Sequence, residues 1–263
     1  MRAYLAIFGA RFRALLQYRA AAMAGLVTQV FWGFVRVMIF TAFYASTDAP
    51  QPMTLAEVIT YIWLTQALLR LLPWQPDTDV EQLIPDGNVA YELMRPLDVY
   101  GLWFARAVAL RSAPMLLRCL PMLLPAYLWF GMGLPASPAA AVVFLVSVLG
   151  AIVLSAAITT LLSVSMLVTI SGRGIHVLSI SVINLMSGAI VPLSLLPDWS
   201  QPVLTLLPFR GLLDTPFRIY LGHLPLDAAA GAIAHQFLWA LGLMLLGRML
   251  LQRALRHVVV QGG

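Results

Sequence analysis

The chain has 263 residues, 61% hydrophobic and 10% charged, with a mean hydropathy of +0.88. A soluble domain carries roughly 25% charged residues, so this composition excludes an ordinary soluble enzyme and makes a membrane the solvent. The net charge is +5 and all 16 basic residues are arginine, which excludes both a Walker A lysine and Schiff-base chemistry.

Residues 2 to 19 place Tyr4, Leu5, Phe8, Phe12, Leu15 and Leu16 on one helical face, with Arg2 and Arg13 opposite and Arg11 at the margin. That pattern predicts an interfacial helix lying on an anionic leaflet; the alternative is an extension of the first span. No cleavable signal peptide is expected, because no short apolar core ends in a small-residue cleavage site.

Spans of the roughly 30 Å hydrocarbon core are predicted at 20–44, 55–72, 102–130, 139–170, 175–195 and 226–250. Pro114, Pro121 and Pro125 interrupt the third, and each frees a backbone carbonyl that protein or water must satisfy. Between the fifth and sixth, residues 197–225 are too apolar for a free loop. Their prolines predict short re-entrant helices in the outer leaflet, along which Arg210, Asp214 and Arg218 are spaced to pair.

Arginine placement sets the orientation. Arg2, Arg11, Arg13 and Arg19 precede the first span; Arg70, Arg95, Arg106 and Arg111 surround the link between the second and third; Arg173 lies between the fourth and fifth; Arg248, Arg253 and Arg256 follow the sixth. The links 46–54 and 131–138 contain none, so both termini and the 75–101 loop are expected in the cytoplasm. Arginines that flank spans do not form a soluble basic face, and nucleic acid is not an expected partner.

The longest polar interval is 81–101, and six of the 11 acidic residues fall at 77–98. Pro85, Asp86 and Gly87 predict a turn, and Asp86 or Asn88 a cap for a short helix through Met94. Val89 and Leu93 would share its apolar face, with Glu92 beside them. The Arg95-Pro96 pair ends this helix, and Pro96 is placed to open the next at its first position. A small rigid knob between two spans is the result; a plain hydrated loop is the alternative.

The pattern Ile84-x-x-Gly87-Asn-Val-Ala-Tyr-Glu-Leu93-Met-Arg95-Pro96-Leu97-Asp98, then Ser187-Gly188-x-x-x-Pro192-Leu-x-x-x-Pro197-x-Trp199, Leu207-Pro208-Phe209 and Val260-Gln-Gly-Gly263, resembles the membrane subunits of type-2 ATP-binding cassette transporters. Within that family it is similar to a branch of permeases with a Gly-Gly tail. The resemblance covers nearly the whole chain, apart from a departure at Pro85-Asp86.

It implies a single all-α integral membrane domain over 1–263, with six spans, an interfacial N-terminal helix, a cytoplasmic coupling helix and outer re-entrant helices. It also implies a dimer, with a second copy or a sister permease, in the cell inner membrane. Two separate ATPase subunits would carry ATP and Mg, with no cofactor on this chain. The coupling segment would comprise Asp86, Gly87, Asn88, Val89, Tyr91, Glu92, Leu93, Arg95, Pro96, Leu97 and Asp98.

Charges at bilayer depth must face protein or water. Arg36 and Arg118 are therefore candidate pathway residues, each with a structural alternative: a bond to backbone carbonyls such as those freed by Pro114 or Pro121. Glu57 is a third candidate, or simply a helix-start carboxylate. His176, His223 and His235 are dispersed, without metal-ligand spacing, and the lone Cys119 can form neither an internal disulfide nor a thiolate cluster. The small residues from Gly150 to Ser165 read as close helix packing, the methionines as lipid-facing or packing residues, and Trp32, Trp63, Trp129 and Trp199 as interfacial anchors.

An ATP-driven exporter of a hydrophobic or amphipathic molecule is the favoured reading. A lipid-modifying enzyme using Arg36, His176 or Glu57 lacks convergent acids at catalytic spacing, and a scaffold has no need of the knob.

Overall fold

The computed structural model describes residues 2–74, 76–83, 88–168 and 173–256, and among these every regular element is helical. Helix α1 (Arg2–Leu16) ends at a break at Gln17-Tyr18, and α2 (Arg19–Ala45) follows. Instead of standing apart, α1 lies along the start of α6 (Val99–Trp129), where Ile7 packs against the buried cluster that includes Tyr100 and Trp103. The backbone N–H of Asp98 donates to Tyr4 Oη at 3.1 Å.

Helix α3 (Leu55–Leu68) opens with a capping box: Thr54 accepts from the Glu57 N–H, and Glu57 accepts from the Thr54 N–H. It gives way to a 3-10 turn at Leu69–Leu71 before Pro73, where the residue ahead of a proline leaves the α region. Two very short helices follow, α4 (Thr78–Leu83) and α5 (Val89–Leu93). Helix α6 then runs continuously through Pro114, Pro121 and Pro125. Helix α7 (Pro138–Val168) is next, and its apolar core packs most extensively with α11 (Leu226–Leu255).

Helix α8 (Arg173–Met186) stops just before Ser187-Gly188. Gly188 has φ +83° and its absent Cβ leaves the space taken by the Tyr61 hydroxyl; a side chain there would be both strained and obstructed. Beyond it residues 189–225 alternate 3-10 turns with α9 (Gln201–Leu206) and α10 (Asp214–Tyr220). Gln236 of α11, fully buried, donates to the Gly211 carbonyl at 2.7 Å and the Ser147 carbonyl at 3.1 Å. Trp239 donates to the Leu206 carbonyl at 2.9 Å, so the segment is pinned to α11 at two places.

Among the described residues four helices, α2, α6, α7 and α11, are long and apolar enough to cross a membrane. The expected second and fifth spans form shorter helices of 14 residues each, about 21 Å at 1.5 Å per residue. The 3-10 turn to Leu71 carries the expected second span close to its full range, and Gly188 lies just past the end of α8, inside the expected fifth.

Three further expectations are corrected. Trp63 is not an interfacial anchor: it is fully buried, stacked near Phe34 and Phe130, and donates to the Phe130 carbonyl at 3.0 Å. Its ring occupies the room left by the missing Cβ of Gly33. Arg210 lies on a 3-10 turn separate from the helix that carries Asp214 and Arg218. Pro96 does not open α6: the helix begins at Val99 with Asp98 as its N-cap, accepting from the Gly101 N–H at 3.0 Å.

Candidate coupling segment and buried arginines

The five-residue helix α5 is too short to be stable alone, and its attachment explains its order. Glu92 points inward, buried, accepting from Trp103 Nε1 at 2.7 Å and pairing with Arg106 at 2.9 Å. Val89 is buried beside it, while Tyr91, Leu93 and Met94 are exposed. Val89 and Leu93 therefore do not share one apolar face, as their spacing suggested. The inward face is Val89 with Glu92, and the outward face is an apolar set that no described residue of this chain covers.

Asn88 supplies a turn, its carbonyl accepting from the Tyr91 N–H at 3.1 Å. Arg95 and Pro96 are exposed and Leu97 half-buried in the link to α6. Asp98 closes the link twice, by capping α6 and by pairing with Arg248 of α11 at 3.2 Å. Asp86 and Gly87 lie outside the described residues, as does the Gly-Gly tail.

The preceding strap, from Leu71 to Asp77, is held by a polar stripe on α7. Ser155 donates to the Leu71 carbonyl, Thr159 accepts from Arg111 Nε at 2.8 Å, and Ser163 accepts from the Asp77 N–H at 3.3 Å. These positions, four residues apart, form one face of the helix. Small polar residues read as close packing thus hold a backbone strap and an arginine. Arg111 also donates to the Leu72 carbonyl at 2.9 Å; it is buried inside the bundle, where the sequence placed it at the flank of a loop.

Asp77 caps α4 by accepting from the Asp79 N–H at 3.1 Å. Arg11 of α1 reaches Asp77 at 3.4 Å and Asp79 at 2.6 Å. Burial pushes the Asp77 carboxyl above its ordinary range, against the opposing pull of Arg11. The N-terminal helix, the strap, the knob and α6 are therefore one connected assembly.

The three candidate pathway residues are dispersed. Arg36 of α2 donates to the Ala189 carbonyl at 2.5 Å, bracing the chain just after Gly188. Glu57 completes its capping box and meets His223 Nε2 at 2.7 Å, joining the start of α3 to the link between α10 and α11. Arg118 rests its guanidinium in the space left by Gly25 of α2. Its Nε has no hydrogen-bond partner among the described residues. Among the described residues no group of histidine, cysteine or acidic side chains is arranged to hold a metal ion.

Long apolar helices, with no strand among the described residues, are those of a multi-pass membrane protein. A family model described as ABC-2 family transporter protein matches residues 30–262. The chain belongs to that family, and is a type-2 ABC permease subunit. A search of curated proteins finds no match to it. Permeases of this family lack an ATP-binding domain of their own, in keeping with a chain that has no lysine for a phosphate loop.

Proposed function

We propose that this permease forms the translocation pathway of an ATP-driven exporter for a hydrophobic or amphipathic substrate, and that α5 is where separate ATPase subunits push on it. The observation that carries this reading is the division of α5 into a buried, ion-paired inner side and an exposed apolar outer side. Glu92 ties the knob to α6, so a force on Tyr91, Leu93 and Met94 passes into a helix of 31 residues. Rigid-body movement of a neighbour then becomes rearrangement of spans, and alternation of access follows as a shift between two packings.

In this arrangement the chain makes six passages of the cell inner membrane, the shorter α3 and α8 among them, with both termini and the α4–α5 loop in the cytoplasm. Two ATPase subunits, carrying ATP and Mg, serve a dimer of permeases. Arginine-poor outer links and the arginine-rich inner ones support that orientation. The Gly-Gly tail supports assignment to the similarly tailed branch.

Copurification from native membrane with a tagged copy tests the reading: an ABC ATPase is expected in the complex. The Leu93→Ala, Arg95→Ala double variant should insert normally but show lower transport-coupled ATP turnover. Unchanged turnover, or a tagged protein that transports with no ATPase present, contradicts the proposal.

A further inference from the structure

Between residues 198–215 and α11 the structure holds two hollows that share a wall. The smaller, of about 240 Å³, is lined by Thr205, Arg210, Thr215, Gly231, Ala232 and His235. The larger, an open groove of about 690 Å³, is lined by Pro202, Leu206, Trp239, Asp198 and Gln201, and again by Thr205 and His235. Bonds within the chain fix both. Gln236 holds the Gly211 carbonyl, next to Arg210, at 2.7 Å, and Trp239 holds the Leu206 carbonyl at 2.9 Å. His235 Nε2 lies 3.0 Å from Trp239 Nε1, which sets the ring of the shared wall in place.

The smaller hollow has the groups that receive an anion. Arg210 is half-buried and makes neither a hydrogen bond nor an ion pair among the described residues. Thr215 is 1% exposed, and its hydroxyl has no partner among them either. The buried Asp214 is the acid whose charge reaches Arg210, but it reaches Arg218 as well, so one carboxylate stands against two guanidinium groups. Positive charge is left over. An oxyanion accepts from a guanidinium in a charge-assisted bond, and from the Thr205 and Thr215 hydroxyls in ordinary ones.

The groove suits the rest of such a molecule. Its volume falls within the roughly 300–1,000 Å³ of sites for drug-sized ligands, whereas the smaller hollow has room for a head group alone. Pro202, Leu206 and Trp239 give it apolar walls. Gln201 is already occupied, donating to the Leu193 and Leu196 carbonyls at 2.8 and 3.1 Å. Asp198, exposed on this groove, repels an anion there and so directs the charged end toward Arg210.

We propose that the hollow at Thr205, Arg210 and Thr215 binds the oxyanion head group of an amphiphile whose apolar body lies in the adjoining groove against Pro202, Leu206 and Trp239. This deepens the permease reading by giving its substrate a charge class, and rests on that reading only in taking the bound molecule for cargo.

The test is a native mass-spectrometry titration of the full chain at a fixed concentration of a neutral maltoside detergent, with dodecyl phosphate, inorganic phosphate and dodecyltrimethylammonium as separate probes. Wild type should take up dodecyl phosphate, and the other two far more weakly. Arg210→Gln should weaken dodecyl phosphate binding about tenfold, the scale of one lost charge-assisted contact, while Arg210→Lys retains most of it. Thr215→Val, which keeps the shape and removes a neutral donor, should weaken it about threefold, and is the variant to read if Arg210→Gln fails to fold. Asp198→Asn should bind at least as tightly as wild type. Equal affinity in wild type and Arg210→Gln overturns the proposal, as does the same loss in Asp198→Asn as in Arg210→Gln. Inorganic phosphate or dodecyltrimethylammonium binding as tightly as dodecyl phosphate overturns it too. The permease reading fails separately, through loss of ATPase copurification, and leaves this titration unaffected.

Discussion

Glu92 and Arg106, 14 positions apart in sequence, form a 2.9 Å ion pair that fastens the knob to the third long apolar segment. The same carboxylate accepts from Trp103, so both its oxygens are engaged. Removing one member of such a buried pair leaves the other uncompensated. Glu92→Ala should therefore lower stability by about 3 kcal/mol, read as a drop in thermal unfolding temperature of the purified protein. Glu92→Gln, which retains an acceptor for Trp103, should cost less. If the two variants unfold at the wild-type temperature, the tether is not holding α5.

Arg36 is the clearest case in which a charge at bilayer depth has a structural partner. Its bond to the Ala189 carbonyl braces the left-handed turn at Gly188. Arg36→Met should cost about 2 kcal/mol, within the range for a hydrogen bond to a charged group, and reduce assembly before it alters substrate choice. Arg36→Lys should recover part of the loss. A variant that assembles normally but changes transport would instead place Arg36 on the route.

Glu57 serves the start of α3 and the link between α10 and α11 together. Its cap is the larger contribution, because the contact with His223 is partly exposed and screened by water. Glu57→Ala should destabilise by about 1 kcal/mol, the usual scale for a lost helix cap, and His223→Ala by less. Thermal unfolding of both variants in detergent measures the order; a larger effect from His223 would reverse this division.

Much of the architecture was legible because apolar length and prolines are local signals. The long helices α2, α6, α7 and α11 fall close to their predicted ranges, and α1 ends near the expected residue. Thr54 with Glu57 is a readable helix start, because a capping box is spelled within four residues. What was not legible depends on distant residues meeting. Nothing near Glu92 in sequence indicates that Trp103 and Arg106 will turn back to it. Nor does the spacing of Ser155, Thr159 and Ser163 say whether they serve packing or hold a strap and an arginine. Arg70 and Arg111 looked like loop-flanking charges because hydropathy marks where a polar side chain starts, not where its guanidinium ends.

The most direct test of the account places a photo-crosslinking amino acid at Tyr91, on the exposed side of α5, in cells that express the native complex. Irradiation should join this chain to an ABC ATPase subunit, and the same probe at Trp199, on the 3-10 turn before α9, should not. Absence of an ATPase adduct at position 91, or its appearance at 199 instead, would contradict transmission of ATP-driven movement through α5.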